Sequence, residues 1–430
     1  MTNALKIGVA GLGTVGSGVV QVLAANGDAI AERCGLPIHL SAVSARDRGK
    51  DRGIDVSGAR WFDDAVAMAA DPEVDLVVEL IGGAEGVARS VVETALSRGA
   101  SVVTANKALV AHHGTALARR AEAEGAALAY EAAVAGGIPV IKVLREGLSA
   151  NRIERVHGIL NGTCNYILST MRESGREFGD VLAEAQELGY AEADPAFDID
   201  GVDAAHKLAI LTALAFGCEV DFEALHVEGI RGISALDMEY AEELGYRIKL
   251  LGIAERRDSG VVQRVHPCMI ETTTPLAQVD GVFNAVATVG DFVDRIVAEG
   301  RGAGAGPTAS SVVADIMDLA RGARLPVFGV PAERLKRLPT LPMTAHVGAY
   351  YLRLMVVDRP GVIASIADVL RDEEISVEAL LQRGRAPGEA VPMVIATHET
   401  TEAKLRRALK QISALETTLE TPRVIRIESL

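Results

Sequence analysis

A glycine pattern close to the start of the chain constrains the fold more than any other sequence feature. Residues 5–16 read LKIGVAGLGTVG, so an apolar run of strand character leads into a G-x-G-x-x-G spacing, and a helical pattern follows. In that context the first glycine makes a tight turn, the second lets a pyrophosphate approach the backbone, and the third lets the helix pack on the strand. The pattern predicts a dinucleotide-binding domain. The residues expected to contact the cofactor are Gly11, Gly13, Thr14, Val15 and Gly16.

The end of the second predicted strand indicates which dinucleotide is bound. An acid there pairs with the ribose 2′-hydroxyl of NAD, whereas an arginine accommodates the 2′-phosphate of NADP. The strand IHLSAVS ends at Ser44 without an acid, and Arg46 and Lys50 follow it. We therefore expect NADP, with Arg46 as the first candidate for the phosphate contact. Asp47 would favour NAD if the strand were one residue longer.

Three later strands of the same domain end in polar or glycine residues. The segments are DLVVELIGG (75–83), SVVTANK (101–107) and ALAYEAAVAGGIP (127–139). Because ligands of doubly wound sheets bind at the carboxyl ends of the strands, Lys107 is well placed beside a nicotinamide, although it also suits an ordinary helix start. Glu131 lies in an apolar stretch, where an unpaired carboxylate would be costly. Either a hard cation or backbone amides would partner it.

The segment from 189 to 211, GYAEADPAFDIDGVDAAHKLAIL, gathers acids around a single lysine, Lys207. Asp203 lies four residues earlier, so both side chains share one face if the segment is helical. A buried lysine beside a carboxylate can give or take a proton near neutral pH. The pair is a candidate for proton transfer, with a surface salt bridge as the alternative. Asp194 and Asp198 are expected to cap the turn and the following helix.

Composition and charge disfavour several classes of function. The 430 residues carry 43 lysines and arginines against 58 acids, a formal net charge of −15, which disfavours binding to nucleic acid or anionic membranes. No apolar run approaches the roughly 20 residues needed to cross a membrane. The chain enters its first strand directly, so a cytoplasmic protein is expected. The four cysteines form no C-x-x-C pair, and for Cys164 a buried thiol is favoured over a nucleophile.

The last part of the chain predicts a separate unit. After the proline-rich passage LPTLPMTAH (338–346), strand and helix patterns follow in the order β-α-β-β-α-β, which is typical of a ferredoxin-like fold. The sequences DRPGV (358–362) and ISV (375–377) resemble an ACT domain. Amide groups at a helix start can hold a carboxylate, so Gly361 and Val362 are the expected effector contacts. An assembly module without an effector is the alternative.

Together these motifs resemble homoserine dehydrogenase. In order along about the first 330 residues, the matching motifs are GLGTVG, TANKALV (104–110), EAAVAGGIP (131–139), GILNGTCNYIL (158–168), the acid-rich segment 189–211 and GAGAGPTASSVVADI. The resemblance implies reversible reduction of L-aspartate 4-semialdehyde to L-homoserine with NADPH or NADH, in the biosynthesis of threonine, methionine and isoleucine. Another amino-acid dehydrogenase and a non-catalytic dinucleotide or amino-acid sensor are the alternatives.

The resemblance also implies an architecture. We expect an α/β protein with a Rossmann-type doubly wound sheet, an inserted α+β catalytic and dimerisation domain, and a C-terminal ferredoxin-like ACT domain. The expected boundaries are 1–135 for the Rossmann domain, completed by about 307–325, then 136–306 for the catalytic domain, 326–346 for a linker and 347–430 for the ACT domain. A homo-oligomer, either dimer or tetramer, and regulation by threonine are implied as well.

Site residues follow from the same resemblance, position by position. Lys207 resembles the family's catalytic lysine, Asp203 its neighbouring carboxylate, and Lys107 the lysine beside substrate and nicotinamide. Glu192 resembles the residue that binds the substrate ammonium, and the rest of that pocket corresponds to Tyr190, Gly162 and Thr163. A monovalent cation such as sodium or potassium is implied at Glu131, Val134, Gly136 and Ile138, the last three through their carbonyl oxygens. Gly304 resembles a second cofactor contact.

Overall fold

Six parallel strands form the sheet of the N-terminal domain in a computed structural model that describes residues 4–383 and 386–430. The strands are β1 (Leu5–Ala10), β2 (Ile38–Ser44), β3 (Arg60–Phe62), β4 (Leu76–Glu79), β5 (Ser101–Thr104) and β6 (Leu128–Ala129). The helices between them are α1 (Thr14–Cys34), α2 (Ala65–Ala70), α3 (Val87–Ser97) and α4 (Lys107–Ala123). The strand order β3-β2-β1-β4-β5-β6 is that of a doubly wound sheet, and the central strands β4 and β5 are completely buried, as parallel strands covered on both faces must be.

The middle of the chain forms a second domain around an antiparallel sheet. Its helices are α5 (Val140–Lys142), α6 (Gly162–Ser174), α7 (Phe178–Glu187), α8 (Ala196–Ile199), α9 (Val202–Phe216) and α10 (Ala235–Glu243). Its strands are β7 (Ile153–Ile159), β8 (His226–Val227), β9 (Tyr246–Arg257), β10 (Gly260–Glu271), β11 (Phe283–Gly290) and β12 (Asp294–Arg301). Helix α9 is apolar almost all round because it is buried on nearly every side, with β9 and β10 beneath it.

The chain then returns to the first domain through α11 (Ala305–Ala320). This helix packs along α1, and the two backbones approach closely at Gly18, where a Cβ atom would lie 2.7 Å from the Ala305 carbonyl oxygen. The return completes the nucleotide-binding domain near the expected residues 307–325. The apolar side chains of Phe292 and Val297, at β12 and the turn before it, remain exposed at the sheet edge of the single chain.

The C-terminal unit has the predicted ferredoxin-like order. Its elements are β13 (Val347–Val357), α12 (Val362–Asp372), β14 (Val377–Gln382), β15 (Ala390–Thr397), β16 (Thr400–Thr401), α13 (Glu402–Ser413) and β17 (Arg423–Ile427). The strands lie in the order β17-β13-β15-β14, and α12 and α13 cover one face through buried apolar side chains such as Ile366, Leu405 and Ile412. The predicted α/β architecture with a ferredoxin-like C-terminal unit is confirmed.

This unit is more firmly joined to the rest than the sequence predicts. Strand β17 pairs in parallel with β10, so the sheets of the second domain and the C-terminal unit form one continuous sheet. The segment 326–346, expected to be a linker, is packed instead: Tyr130 donates a hydrogen bond to the Val327 carbonyl at 2.7 Å, and Val261 N–H donates to the Pro339 carbonyl at 2.8 Å. Regular helix there is limited to two short 3-10 turns, Ala332–Arg334 and Met343–Ala345, yet backbone carbonyls of the segment still accept hydrogen bonds.

A buried cluster of ion pairs also connects the second domain to the C-terminal unit at the β10–β17 joint. Arg264 of β10 donates to both carboxylate oxygens of Glu428, at 3.0 and 2.9 Å, and Arg426 of β17 donates to Glu228 and Glu402. Removing one partner of such a buried pair leaves an uncompensated charge, so the joint is fixed in one geometry. Among the residues described, no helix is long and apolar enough to cross a membrane.

Candidate active site

Two lysines from different domains meet at one carboxylate. Lys207 Nζ, on α9, donates to Asp203 Oδ2 at 2.7 Å and to the Leu160 carbonyl oxygen at 2.7 Å. Lys107 Nζ, at the start of α4, lies 2.6 Å from Asp203 Oδ1. Asp203 and Lys207 are buried, whereas Lys107 is about one-third exposed, so the group opens on the Lys107 side. The structure brings together the three residues that the sequence predicts for the chemistry.

Asparagine and a second acid complete this cluster. Asn161 Nδ2 donates to Asp203 Oδ2 and to Asp198 Oδ1, both at 2.8 Å, while its Oδ1 accepts the Cys164 N–H and so caps α6. Asp198 also accepts from the Thr163 hydroxyl at 3.2 Å. The prediction that Asp198 merely caps a turn is therefore wrong: α8 directs its side chain into the cluster. Asp194 does bond the turn, accepting from Ala196 N–H at 3.2 Å.

The electrostatics of the cluster suit proton transfer. Burial lowers the pKa of Lys207, and the neighbouring Lys107 ammonium acts in the same direction, while Asp203 opposes both. Burial alone would raise the pKa of Asp203, but the two ammonium groups hold it well below its usual value. The carboxylate thus stays ionised, and the ammonium group whose pKa is lowered is that of Lys207.

The predicted substrate pocket is only partly assembled around these groups. Thr163 donates to the Tyr190 carbonyl oxygen at 2.8 Å, which ties α6 to the loop after α7. Gly162 must be glycine, since a Cβ atom would lie 2.7 Å from the Val282 carbonyl oxygen. Glu192 is exposed in that loop, and among the described residues no hydrogen bond or ion pair joins its carboxylate to the lysine cluster.

The glycine turn has the geometry that a dinucleotide requires. Gly11 has φ +100°, and a Cβ atom there would lie 2.6 Å from the Leu80 carbonyl oxygen; at Gly16 it would lie 2.0 Å from the Gly11 carbonyl oxygen. At Gly13, by contrast, nothing lies within 4 Å of that position, so the backbone is open to a phosphate. Gly304, with φ +121°, begins α11, the helix packed on α1.

Cations cluster in the loop after β2. Arg46 is exposed there, and Arg52, which sequence reasoning missed, donates to the Leu12 carbonyl at 3.0 Å and the Asp47 carbonyl at 2.6 Å. Arg52 therefore links this loop to the glycine turn. The Asp47 carboxylate accepts the Gly49 N–H at 2.8 Å and is engaged by its own turn. Lys50 is also exposed.

Backbone amide groups donate hydrogen bonds to the carboxylate of the buried Glu131. Its two carboxylate oxygens accept the N–H groups of Ile141 and Lys142 at the start of α5, each at 2.8 Å. Burial and the nearby Asp315 raise its pKa to about 7. Of the carbonyl oxygens expected at a cation, that of Gly136 accepts the Ser311 hydroxyl at 2.6 Å and that of Ile138 accepts the Val140 N–H at 2.8 Å. Each carbonyl oxygen keeps a second lone pair, so the oxygen atoms of this turn, which includes Val134, are of the kind that coordinates a hard cation.

The last candidates from the sequence are the effector contacts, Gly361 and Val362, and the thiol of Cys164. Gly361 has φ +94° and precedes α12 beside a cleft of about 310 Å³, which Val362, Arg359 and Gln382 also line. The Cys164 thiol is buried, and burial raises its pKa, the opposite of what a nucleophilic thiolate needs.

One further residue supports the site and carried a sequence signal. Glu79 ends β4, where it accepts the N–H groups of Ile81 and Gly82 and the Thr104 hydroxyl, and so fixes the loop that faces Gly11. An acid inside the apolar run DLVVELIGG was the available signal.

Comparisons with known proteins agree with this geometry. The family model described as homoserine dehydrogenase matches residues 139–317, its NAD-binding domain matches 11–131, and the ACT domain matches 350–416. Homoserine dehydrogenases from Pseudomonas aeruginosa and Neisseria gonorrhoeae are 47% and 46% identical, each covering 99% of both chains. The crystal structure of a homoserine dehydrogenase from Thiobacillus denitrificans has a TM-score of 0.94 at 47% identity, covering 99% of this chain and 98% of that one. A hyperthermophilic archaeal homoserine dehydrogenase in complex with NADPH is 26% identical, with a TM-score of 0.64, over 75% of this chain and 99% of that one.

Proposed function

This chain belongs to the homoserine dehydrogenase family, and we propose that its buried Lys207–Asp203 pair carries the proton transfer of the family's reaction. The chain is an NAD(P)-dependent oxidoreductase that interconverts L-aspartate 4-semialdehyde and L-homoserine. Family membership favours this activity over the alternatives of an α-carbon amino-acid dehydrogenase or a non-catalytic sensor. The observation that carries the assignment of Lys207 is its 2.7 Å contact with Asp203 in a buried setting.

The proposed role of Lys207 follows from where charge develops. A reduced nicotinamide bound at the glycine turn would supply the hydride for the aldehyde carbon, so negative charge would develop on the carbonyl oxygen. Lys207 donates a proton to that oxygen, directly or through a water, and takes it back in the oxidation of homoserine. Asp203 orients the ammonium group and stays ionised, because two lysines face it.

Lys107 and Glu192 have binding rather than proton-transfer roles in this proposal. Lys107 stands on the open side of the Asp203 carboxylate, at the carboxyl end of β5, so it can face both substrate and nicotinamide. Glu192, with Tyr190, Gly162 and Thr163 behind it, answers the positive charge of the substrate's amino group. The exposed loop position of Glu192 lets it meet the substrate as it enters.

We further propose that NADP is the preferred cofactor. Arg46 and Lys50 are exposed after β2, and the Asp47 carboxylate is occupied by the Gly49 amide rather than available to a ribose hydroxyl. Arg52 steadies the same loop against the glycine turn. A doubly charged 2′-phosphate would find cations on this edge of the sheet.

A monovalent cation and a threonine effector are the two remaining proposals. The cation would be held by the turn of Glu131, Val134, Gly136 and Ile138, mainly through carbonyl oxygens. Threonine would bind at the start of α12, in the cleft that Gly361, Val362 and Arg359 line, with helix-start amide groups and the Arg359 charge available to its carboxylate.

Replacing Lys207 tests its role in proton transfer. Lys207→Met should lower kcat for semialdehyde reduction by about 10²–10⁴-fold, the usual contribution of a general acid, while the Kd for NADPH stays unchanged. In the native enzyme, kcat for reduction should fall as pH rises through the lowered pKa of Lys207. Lys249→Met is the matched control, since Lys249 is another buried lysine but bonds Asn165 and Asp280 away from the site. Equal losses of NADPH affinity and kcat would contradict the assignment.

Replacing Arg46 tests the cofactor preference. Arg46→Ala should raise the KM for NADPH about tenfold, a loss of roughly 1.4 kcal/mol, and leave the KM for NADH nearly unchanged, because only NADPH carries the 2′-phosphate. Arg33→Ala, at the far end of α1, is the control. If both cofactors respond alike, Arg46 does not read the phosphate.

Exchanging the salt tests the cation. Steady-state rates are compared in sodium or potassium chloride and in tetramethylammonium chloride at equal ionic strength, because the last ion is too large for carbonyl coordination. We expect a lower kcat in tetramethylammonium that small additions of sodium or potassium restore. Identical rates in all three salts would rule out a functional cation.

Replacing Arg359 tests the effector site. Threonine should inhibit the native enzyme, and Arg359→Ala should raise the half-inhibiting concentration about tenfold, since a charge-assisted hydrogen bond is worth roughly 1.5–3 kcal/mol. Arg371→Ala, at the opposite end of the same helix, should respond to threonine like the native enzyme. Inhibition that is unchanged in Arg359→Ala would move the effector site elsewhere.

A further inference from the structure

We propose that His206, through its contact with His112, is a positioning residue that holds Lys107 against Asp203. His206 lies on α9 between Asp203 and Lys207 and is only 5% exposed. Its Nε2 is 3.2 Å from Nε2 of His112 on α4, the helix that Lys107 begins. The inference rests on the proposed role of Lys107.

The histidine pair repeats the connection that the lysine makes. Helix α4 belongs to the nucleotide-binding domain and α9 to the second domain, so the Lys107–Asp203 contact and the His112–His206 contact both cross the boundary between them. Two contacts between the same pair of helices fix both their separation and their rotation. The second contact therefore restrains the position of the Lys107 side chain, which is long and flexible by itself.

Aromatic rings enclose the pair on two sides. The His206 ring stacks on Phe222 with centroids 4.5 Å apart, and the His112 ring meets Phe222 edge-on at 4.7 Å. On the other side Phe197 lies 5.6 Å from His206, and the Lys107 ammonium lies 5.5 Å from the Phe197 ring centroid. His206 and Lys107 therefore both lie against the Phe197 ring, and this shared neighbour links His206 to the lysine in addition to the contact through His112.

His206 takes part in the pair as an uncharged imidazole. A hydrogen bond between two imidazole nitrogens needs one donor and one acceptor, so at most one of the facing Nε2 atoms carries a proton. Burial, His112, Lys107 and Lys207 lower the pKa of His206 to about 4, against the opposing effect of Asp203. As pH falls below the ordinary histidine pKa of about 6.5, His206 binds a proton in the unfolded chain but not yet in the folded chain. Because the pKa of His206 is lowered in the folded chain, the free energy of unfolding decreases progressively as pH falls from about 6.5 toward about 4.

A double-mutant cycle separates positioning from simple packing. His206→Phe keeps the stacked ring but removes the nitrogen, and Lys107→Met removes the charge. If His206 acts through Lys107, His206→Phe should lower kcat/KM for the semialdehyde about five- to tenfold in the native background and cause no further loss in the Lys107→Met background. His206→Gln, which can still donate to His112, should recover most of the activity. His113→Phe, on the same helix but bonded to Glu85, should behave like the native enzyme.

Each outcome has a distinct meaning. If Lys107→Met leaves kcat/KM unchanged, the proposed role of Lys107 fails. If Lys107→Met lowers it but the His206→Phe loss is additive, Lys107 stands and the positioning role is overturned. No loss in His206→Phe overturns the positioning role as well. His112→Phe, at the exposed partner, repeats the cycle if His206→Phe does not fold, and its melting temperature and NADPH Kd report whether folding is affected.

Discussion

The arrangement of the site depends on one buried carboxylate that holds two ammonium groups. Asp203 binds Lys207 from its own helix and Lys107 from another domain, at 2.7 and 2.6 Å. Without that negative charge, burying Lys207 would leave an unpaired cation in an apolar helix, which is strongly unfavourable. The two domains are therefore held together at the proposed site of proton transfer, where burial and the Lys107 ammonium lower the pKa of Lys207 while Asp203 opposes them.

The fold supplies this carboxylate with its surroundings. Because α9 is buried on almost every side, Asp203 needs polar partners inside the fold, and it finds them in Asn161, Lys107 and Lys207. The doubly wound sheet places Lys107 at a strand end, on the same edge as the glycine turn. The continuous sheet then runs from the layer under α9 through β17 into the C-terminal unit. The C-terminal unit is therefore joined to the layer that packs against α9 by hydrogen-bonded strands.

Local patterns predicted the elements and the charged pair well. Gly11 is required by its positive φ, Gly16 by its close approach to the Gly11 carbonyl, and Gly13 leaves the backbone open to a phosphate. The four-residue spacing of Asp203 and Lys207 follows from helix periodicity. The contribution of Asp198 was not predictable in this way, since its partners Asn161 and Thr163 lie some 35 residues away in sequence. Arg52 and the β10–β17 pairing were missed for the same reason: both depend on contacts between segments that only the folded chain brings together.

The most direct measurement is a crystal structure of the enzyme with NADP and homoserine. We predict that Lys207 Nζ lies within about 2.7–3.2 Å of the homoserine hydroxyl oxygen, or of a single water that bridges them, while Asp203 still contacts both lysines. The account would be contradicted if the homoserine hydroxyl oxygen lay too far from Lys207 Nζ for even one bridging water and contacted another side chain instead.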